Sequence, residues 1–552
     1  MYDNNNNENK SLKKTKRRKI IKNILLVLSA IIITATIYIK RNYNLTGFEQ
    51  ILLTLQTGTT GTGVAVIEDI IIKNIFVLPL ILILVFLPEI IYKQIKKRKC
   101  SKKLENSEDK GRNLEIIKIN KIEKIYLIIS IIIFIISSAF LFNAFKFNKA
   151  FFNLLFKQTT KIYDKKYVDP RQIDIKMPEK KKNLIYIIVE SLETTTFTKE
   201  NGGQFKKSVT PELEKIALEN INFSHTDKLG GFKMAPGATL TTGAMATLNT
   251  GISPIVNFDK FLGSPYQKSY MPGAYSIGQL LEKNGYNNQI IFGSDADFGK
   301  RRLFFETHGV KNILDYKEAK KLGYIPKDYF DNWWGFEDEK LFKIAKSEID
   351  KSAKKKEPFF TTLLTVNTHF PEGRLPKGYK REYDKKYLDV YRHCSLMIDD
   401  FLDWLKTKDY YKDTVVVITG DHLTMNVGFF EDGSRYVYNA IINSDKKYNK
   451  ERTKNRKFVT SDITPTILSA MNIKIQDDRY GMGTDLFSDK KTYTEEMGFE
   501  KYTEELQKLS GYYTKNILEE FNAENADLDE RINNNFDYQY INEKHDAMEK
   551  RK

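Results

Sequence analysis

Hydrophobic residues divide the chain into two unlike regions. Before about residue 150 they form three long apolar stretches, 20–40, 71–91 and 125–145, each close to the length that an α-helix needs to cross a bilayer. After about residue 180 they occur as short runs between mixed, helix-like segments. This pattern predicts a membrane region followed by one large globular region.

The membrane region, 20–146, is predicted to hold about three transmembrane helices. Basic residues fill the N-terminus 1–19 and the loop 93–124, and such residues near a span favour the cytoplasmic side. Three crossings then place the chain after residue 146 outside the cytoplasm. The first stretch also fits a signal peptide, although no clear cleavage site follows it. The Thr- and Gly-rich segment 48–70 fits an external or a re-entrant segment.

The globular region, predicted at 180–488, contains repeated apolar runs of strand length. Their alternation with helix-like segments predicts an α/β fold, a mainly parallel sheet with helices on both faces. The segment 147–179 is predicted to be a juxtamembrane helix and linker, lying on the outer membrane surface or simply connecting the two regions. Residues 489–552 are predicted to form a C-terminal helix and a mobile charged tail. The predicted strands are 184–189, 289–292, 359–366, 414–419 and 438–442.

The net charge of +17 raises the question of a nucleic-acid partner. Many of the basic residues flank the apolar stretches, and no nucleic-acid-binding motif accompanies them, so an anionic membrane surface is the expected partner. The two cysteines, Cys100 and Cys394, lie on opposite sides of the last predicted span. If that span crosses the bilayer, they cannot pair within one chain, and no disulfide framework is implied.

Two predicted strands end in residues that can bind a metal ion. The run 414–419 is followed by Gly420, Asp421 and His422, and the run 184–189 is followed by Glu190. In open α/β sheets ligands bind beyond the carboxyl ends of the strands, and carboxylates with an imidazole suit Mn²⁺, Mg²⁺ or Zn²⁺. The alternative for Asp421 is a helix cap beside an unrelated histidine. Glu193 is expected to face solvent or to cap the next helix.

A nucleophile can come from the segment 234–251, MAPGATLTTGAMATLNTG, which is rich in hydroxyl groups and small residues. A threonine at the start of a helix presents its hydroxyl beside free N–H groups and the positive end of the helix dipole, where a phosphoryl group would be held. The alternative is a loop in which Thr239, Thr241 or Thr242 merely caps a helix.

Taken together, these segments resemble the alkaline-phosphatase and sulfatase superfamily in order and spacing. The resemblance rests on VESLE, TPELEKIALENINFSHT, the threonine segment and ITGDH. Within the superfamily the chain is similar to the lipoteichoic acid synthase and phosphoglycerol transferase group. The phosphoglycerol transferase I branch is the nearer one, on the stretches PGATLTTGAMA, FGKRRLFFETHGV, WWGFEDEKLF, TVNTHFPEG and GDHLTMN.

The resemblance implies roles for seven residues. Thr241 would be the nucleophile and a metal ligand. The metal site would be completed by Glu190, Asp421 and His422, and would hold one divalent ion, with Mn²⁺ expected and Mg²⁺ or Zn²⁺ as alternatives. The glycerol phosphate would be contacted by Lys300, Arg301 and His369. Without the resemblance, Lys300 and Arg301 would be a solvated basic patch and His369 a turn histidine beside Phe370 and Pro371.

Some features separate this chain from other members of the superfamily. The lipoteichoic acid synthase branch carries a tryptophan near this arginine, where this chain has Gly299, so an identical glycerol pocket is not implied. No Cys-x-Pro-x-Arg or Ser-x-Pro-x-Arg motif lies near the threonine segment, which argues against a formylglycine sulfatase. The low cysteine content argues against the disulfide-bearing phosphoethanolamine transferases. His225, His308 and His393 are expected to be structural.

The resemblance implies a multi-pass enzyme of the cell membrane with its catalytic domain in the periplasm or outside the cell. It would move glycerol phosphate from phosphatidylglycerol to a glycan or teichoic-acid-like acceptor through a covalent threonine intermediate, releasing diacylglycerol. The alternatives within the fold are a polyglycerolphosphate synthase, a phosphodiesterase or a transferase of another headgroup. A catalytically silent receptor or scaffold is the alternative from another class.

Overall fold

The computed structural model describes residues 2–42, 71–101, 110–144, 153, 156–255, 268–329, 333–431 and 433–519. Three of its helices are long and apolar enough to cross a membrane, over Lys13–Tyr38, Ile71–Tyr92 and Lys121–Ala144. They coincide with the three predicted stretches. The segment 48–70, predicted to be external or re-entrant, lies outside the described residues. The helices of this region are α1 (Tyr2–Asn42), α2 (Val77–Ser101) and α3 (Lys110–Ala144).

The globular region is built on a seven-stranded sheet in the order β3-β8-β7-β2-β6-β4-β5. Five neighbouring strands, from β7 to β5, are parallel, whereas β8 runs antiparallel to both β7 and β3. The prediction of a mainly parallel sheet is therefore confirmed. Its strands are β2 (Asn183–Val189), β3 (Gly231–Phe232), β4 (Asn287–Phe292), β5 (Asn312–Leu314), β6 (Phe359–Leu364), β7 (Thr414–Gly420) and β8 (Val437–Ile442).

Alternate side chains of the central strands enter two separate hydrophobic cores, as the two-residue period of a strand requires. In β2, Tyr186 and Ile188 face one core, and Ile187 and Val189 face the other. Helices cover both faces, which agrees with the prediction. They are α4 (Ile162–Lys166), α5 (Pro211–Glu219), α6 (Thr241–Thr250), α7 (Ile277–Lys283), α8 (Arg301–Thr307), α9 (Tyr316–Lys321), α10 (Asp338–Ala353), α11 (Lys386–Lys406) and α12 (Ile463–Ala470).

The folded region extends beyond the predicted limits of 180–488. In the short helix α4, Ile162 and Tyr163 are buried in the same core as the sheet. The C-terminal helices pack there too: α13 (Tyr493–Met497), α14 (Phe499–Leu506) and α15 (Gly511–Tyr513), which continues into the π-helical turn Thr514–Leu518. The small strands β1 (Ile175–Lys176), β9 (Lys474–Ile475), β10 (Arg479–Tyr480) and β11 (Gly483–Thr484) form two further antiparallel pairs.

Candidate active site

The candidate site lies at the carboxyl ends of four adjacent parallel strands. Glu190 follows β2 at the centre of the sheet, with Asp421 after β7 on one side and His369 after β6 on the other. Beyond β6, the segment that follows β4 leads to Arg301 at the start of α8. Parallel strands bring their carboxyl ends to one edge of the sheet, so residues far apart in the sequence meet there.

Glu190, Asp421 and His422 form a compact, fully buried cluster, with one ligand atom of each within 4.8 Å of the others. The His422 Nε2 atom is 3.3 Å from Glu190 Oε1 and 3.4 Å from Asp421 Oδ2. Its Nδ1 lies 3.0 Å from the carbonyl oxygen of Leu423 and donates a hydrogen bond to it. Nδ1 therefore carries the proton, and Nε2 is left as a ligand atom.

Thr241 is the first residue of α6 and lies against this cluster. Its hydroxyl donates a hydrogen bond of 3.1 Å to Glu190 Oε2 and is 3.4 Å from His422 Nε2. The N-cap position of the helix is occupied by Leu240, whose side chain cannot cap. Thr241 therefore does not serve as the cap. Its hydroxyl is held at the positive end of a ten-residue helix, beside the candidate metal ligands.

The protonation of the cluster reflects burial and crowded charges. Burial, together with the charge of Glu190, raises the pKa of Asp421 to about 7. Burial alone would lower the pKa of the His422 imidazole, but Asp421 and Glu190 raise it on balance. Burial alone would raise the pKa of Glu190, but His369 and His422 lower it on balance. Two carboxylates are thus confined around one imidazole, an arrangement that a divalent cation would neutralise.

The residues present fit a divalent metal ion. Asp421 Oδ1 accepts the backbone N–H groups of Ser191 and His422, both at 2.7 Å. Within the described part of the chain, Asp421 Oδ2 is buried and has no hydrogen-bond partner. A buried carboxylate oxygen without a partner is costly unless it binds an ion. Oxygen and nitrogen donors in this combination suit Mn²⁺, Mg²⁺ or Zn²⁺, but do not discriminate among them.

A small cavity opens beside Glu190 and Thr241. The guanidinium of Arg301 lines it and is held by Ser294 Oγ at 3.0 Å and by the carbonyl oxygens of Asp295 and Phe298. Burial lowers the pKa of Arg301 to about 10, so the group stays cationic at neutral pH. The lining residues are Glu190, Thr241, Ser294, Phe298, Arg301, Trp334, Thr365, Val366 and His369.

His369 lines the same cavity, against the ring of Trp334 at a centroid distance of 4.0 Å. Its Nδ1 donates to the carbonyl oxygen of Phe370 at 2.7 Å, so Nε2 is the acceptor of the ring. Burial lowers the pKa of His369, with the charge of Glu190 opposing this effect. The ring therefore favours its neutral form.

Two further sequence observations concern the entrance to α8. Lys300, with a left-handed backbone, is half-buried and is not among the residues that line the cavity. Gly299 also has a positive φ, and a Cβ atom there would lie 2.4 Å from Thr242 Oγ1. A side chain at 299 would clash with α6. The cavity nevertheless contains a tryptophan, Trp334, from the WWGFEDEKLF stretch. The sequence reveals that motif, but not that Trp334 lies in the cavity.

The expectation that Glu193 faces solvent or caps a helix is wrong. Its side chain is fully buried and forms an ion pair with Arg435. The other histidines have structural surroundings, as expected. The His225 ring is stacked between Tyr436 and Phe458, His308 is buried between Gln279 and the carbonyl of Tyr270, and His393 pairs with Glu339.

The globular region is similar to a known protein family and to curated proteins. The family model described as Sulfatase matches residues 182–473. Phosphoglycerol transferase I of Escherichia coli (strain SMS-3-5 / SECEC) is 30% identical over 256 residues, which are 45% of this chain and 32% of that protein. The chain therefore spans about a third of the length of the curated relatives it matches.

The chain is also similar to parts of two solved bacterial structures. The lipoteichoic acid synthase LtaP from Listeria monocytogenes is 21% identical and aligns over 60% of this chain and 81% of its own, with a TM-score of 0.43. The integral membrane lipooligosaccharide phosphoethanolamine transferase A from Neisseria meningitidis is 13% identical, over 83% of this chain and 84% of its own, with a TM-score of 0.46.

Proposed function

Because the chain belongs to the sulfatase family, whose model covers more than half of it, we propose that it is a membrane-anchored, metal-dependent phosphoglycerol transferase. It takes glycerol phosphate from phosphatidylglycerol and passes it to an extracytoplasmic glycan or polymer acceptor. The observation that carries the proposal is the Thr241 hydroxyl, held at a helix N-terminus within hydrogen-bond distance of Glu190 Oε2. The similarity to phosphoglycerol transferase I supports glycerol phosphate as the transferred group.

The first step is attack of Thr241 Oγ on the phosphorus of the donor. The hydroxyl directs its proton toward Glu190 Oε2, and the N–H groups at the start of α6 face the negative phosphoryl oxygens. A divalent ion held by Glu190, Asp421, His422 and Thr241 would lower the pKa of the hydroxyl and neutralise charge on the phosphoryl group. A new Thr241 O–P bond forms, the P–O bond to diacylglycerol breaks, and the diacylglycerol oxygen takes up a proton.

The second step returns the enzyme to its starting state. A hydroxyl of the acceptor attacks the glycerophosphoryl-Thr241 ester, the Thr241 O–P bond breaks, and Thr241 recovers its proton. His369 presents Nε2 as an acceptor to a glycerol or acceptor hydroxyl, since its Nδ1 is engaged with Phe370. Arg301 provides a buried cation for the phosphate, through charge-assisted hydrogen bonds.

The charges of the cavity favour an uncharged headgroup over an ethanolamine headgroup. Among the lining residues that the structure describes, only Glu190 is acidic, and it belongs to the candidate metal cluster, whereas Arg301 is a buried cation. A second cation from the headgroup would be desolvated beside Arg301 without a carboxylate of its own. Glycerol carries hydroxyl groups only and avoids this cost.

The decisive experiment follows the donor and the protein together. Purified full-length protein in detergent is incubated with Mn²⁺ and phosphatidylglycerol labelled in its headgroup, and both diacylglycerol release and label on the protein are measured. The wild type is expected to release diacylglycerol and to carry label. Thr241→Ala is expected to do neither, with a loss of at least about a hundredfold in rate. Thr241→Ser, which keeps a hydroxyl, should retain part of the activity.

The other outcomes identify the alternatives. Release from phosphatidylethanolamine but not from phosphatidylglycerol would overturn the glycerol phosphate assignment. Label that passes only to water would indicate a phosphodiesterase, and chains of repeated units would indicate a polyglycerolphosphate synthase. A wild-type protein that binds no divalent metal would point to the silent receptor or scaffold.

A further inference from the structure

The residue after Glu190 has a backbone conformation that its type rarely adopts. Ser191 has φ of 56°, in the left-handed region, at the third position of the tight turn Val189–Leu192 that follows β2. Glycine or asparagine usually occupies such a position, because a Cβ atom is unfavourable there. Strained residues of this kind persist where the surrounding structure uses them.

The conformation lets Ser191 contact both carboxylates of the cluster at once. Its backbone N–H donates to Asp421 Oδ1 at 2.7 Å, and its hydroxyl donates to Glu190 Oε1 at 2.9 Å. Glu190 follows β2 and Asp421 follows β7, and these strands are neighbours. Ser191 therefore bridges two candidate ligands that belong to different strands.

The third polar group of Ser191 is also fixed. Its carbonyl oxygen accepts a hydrogen bond of 2.6 Å from the hydroxyl of Tyr391, a fully buried residue of α11. Ser191 itself is buried, so each of these bonds is shielded from water. The bond from Tyr391 fixes the Ser191–Leu192 peptide, directly next to the Glu190–Ser191 peptide whose N–H group binds Asp421.

We infer that Ser191, held by Tyr391, is a positioning residue that sets the separation and orientation of Glu190 and Asp421 for the metal ion. The inference rests on the metal centre of the proposed function. It assigns to Ser191 no contact with the substrate. Groups that orient metal ligands in this way commonly contribute ten- to a hundredfold to metal affinity.

The test is the Mn²⁺ affinity of the full-length protein, measured from the electron paramagnetic resonance signal of free Mn²⁺. Ser191→Gly removes the Cβ and hydroxyl of the serine and keeps its backbone hydrogen bonds, because glycine accepts a φ of 56° without strain. We expect its Mn²⁺ dissociation constant to rise about ten- to a hundredfold, while the melting temperature of the metal-free protein does not fall. A serine with a purely structural role would show the opposite pattern, a lower melting temperature with an unchanged Mn²⁺ dissociation constant.

Ser208→Gly is the matched control. Ser208 is also buried, but its hydroxyl has no hydrogen-bond partner in the described part of the chain. Its replacement should leave Mn²⁺ affinity unchanged. If Ser191→Gly does not fold, Tyr391→Phe carries the same prediction, since it releases the Ser191 carbonyl and leaves the serine in place.

The outcomes separate this inference from the proposed function. Equal Mn²⁺ affinity in wild type, Ser191→Gly and Tyr391→Phe would overturn the role of Ser191 and leave the transferase proposal intact. A wild-type protein that binds none of Mn²⁺, Mg²⁺ and Zn²⁺ would overturn the metal centre, and with it both proposals. Weaker Mn²⁺ binding in both Ser191→Gly and Tyr391→Phe, with Ser208→Gly unchanged, would support the inference.

Discussion

At the scale of single residues, an ion pair stabilises the loops around the site. Arg435 Nε donates to Glu193 Oε2 at 2.7 Å, and Arg435 Nη2 contacts Glu193 Oε1. The same carboxylate accepts the backbone N–H of Thr424, and Arg435 donates to the Thr424 carbonyl oxygen. The pair thus ties the loop after β2 to the loop that begins with Asp421 and His422.

Removing only the cation should be strongly destabilising. Arg435→Gln leaves the fully buried Glu193 carboxylate without its counter-charge, which costs about 3–5 kcal/mol for a buried pair. The double variant Glu193→Gln/Arg435→Gln has no buried charge and should recover most of that loss. Thermal unfolding of the full-length protein in detergent measures both effects.

An exposed ion pair provides the control for this cycle. Arg452 pairs with Asp489 at the surface, where the two side chains are 40% and 89% exposed, and such pairs contribute about 0–1 kcal/mol. Arg452→Gln should therefore barely change the melting temperature. Equal shifts for Arg452→Gln and Arg435→Gln would contradict a stabilising role for the buried pair.

The two glutamates of VESLE show which residue environments a sequence reveals. Glu190 directly follows a run of buried β-branched and aliphatic residues, so the strand itself predicts its place at the sheet edge. Glu193 differs because its partner Arg435 is 242 residues away. The sequence around VESLE therefore does not predict that ion pair. The role of Ser191 is not visible in the sequence for a related reason. Its left-handed φ goes with contacts to Asp421 and Tyr391, which lie far away along the chain.

At the scale of secondary-structure elements, the central strands were predictable and the edges were not. Strands such as β7 are buried on both faces and form continuous apolar runs, which fixes their place in the sequence within one or two residues. The edge strand β5 has only three residues and pairs with β4 alone. A three-residue strand is too short to show the two-residue alternation of apolar residues, so it is recognised only by its pairing with β4.

The C-terminal helices are buried more deeply than their hydrophobic pattern predicts. The sequence TEELQKLSGYYTKNILEEF is mostly polar, yet Leu506, Tyr513 and Ile517 within it are buried in the sheet core. Tyr163 links them to the segment that leaves the membrane region. Its hydroxyl donates to the Leu506 carbonyl oxygen at 3.0 Å, and its ring meets that of Tyr513 at 5.0 Å.

Truncation tests whether these helices belong to the fold. A stop codon after Lys490 removes at least four buried apolar side chains, at about 1.5–3 kcal/mol each, which is comparable with the whole stability of a typical domain. We expect that protein to be lost to aggregation or proteolysis, as measured by fluorescence-detected size-exclusion chromatography. A stop codon after Glu519 keeps all of the described helices and is the reference.

A point variant measures the same contribution without removing chain. Leu506→Ala should lower stability by about 2–5 kcal/mol, the usual range for a buried leucine. Leu218→Ala changes a leucine that is 56% exposed and should have little effect. If the two variants melted at the same temperature, the packing of α14 against the core would not matter for stability.

At the scale of the whole molecule, one polar cluster joins all three membrane helices. The Lys22 side chain is buried, with Nζ 2.7 Å from Glu89 Oε2 and 3.5 Å from Glu123 Oε2. Lys22 lies in the first part of the first span, Glu89 near the end of the second and Glu123 near the start of the third. Because successive spans run in opposite directions, these positions meet at one membrane face, the face with the basic N-terminus.

That geometry places the Lys22 cation between carboxylates of the other two helices, so we expect the packing of the three helices to depend on Lys22. Lys22→Met would remove the cation that lies between the Glu89 and Glu123 carboxylates, and removing one partner of a buried ion cluster costs about 3–5 kcal/mol. The neutral triple variant Lys22→Met/Glu89→Gln/Glu123→Gln should recover stability, since it leaves no unpaired charge. Lys19→Met, at an exposed position three residues earlier, is the control. The melting temperature in detergent should fall for Lys22→Met and recover in the triple variant. That result would establish that the ion cluster stabilises the packing of the three helices. A Lys22→Met protein as stable as Lys19→Met would mean that apolar packing alone holds the spans together.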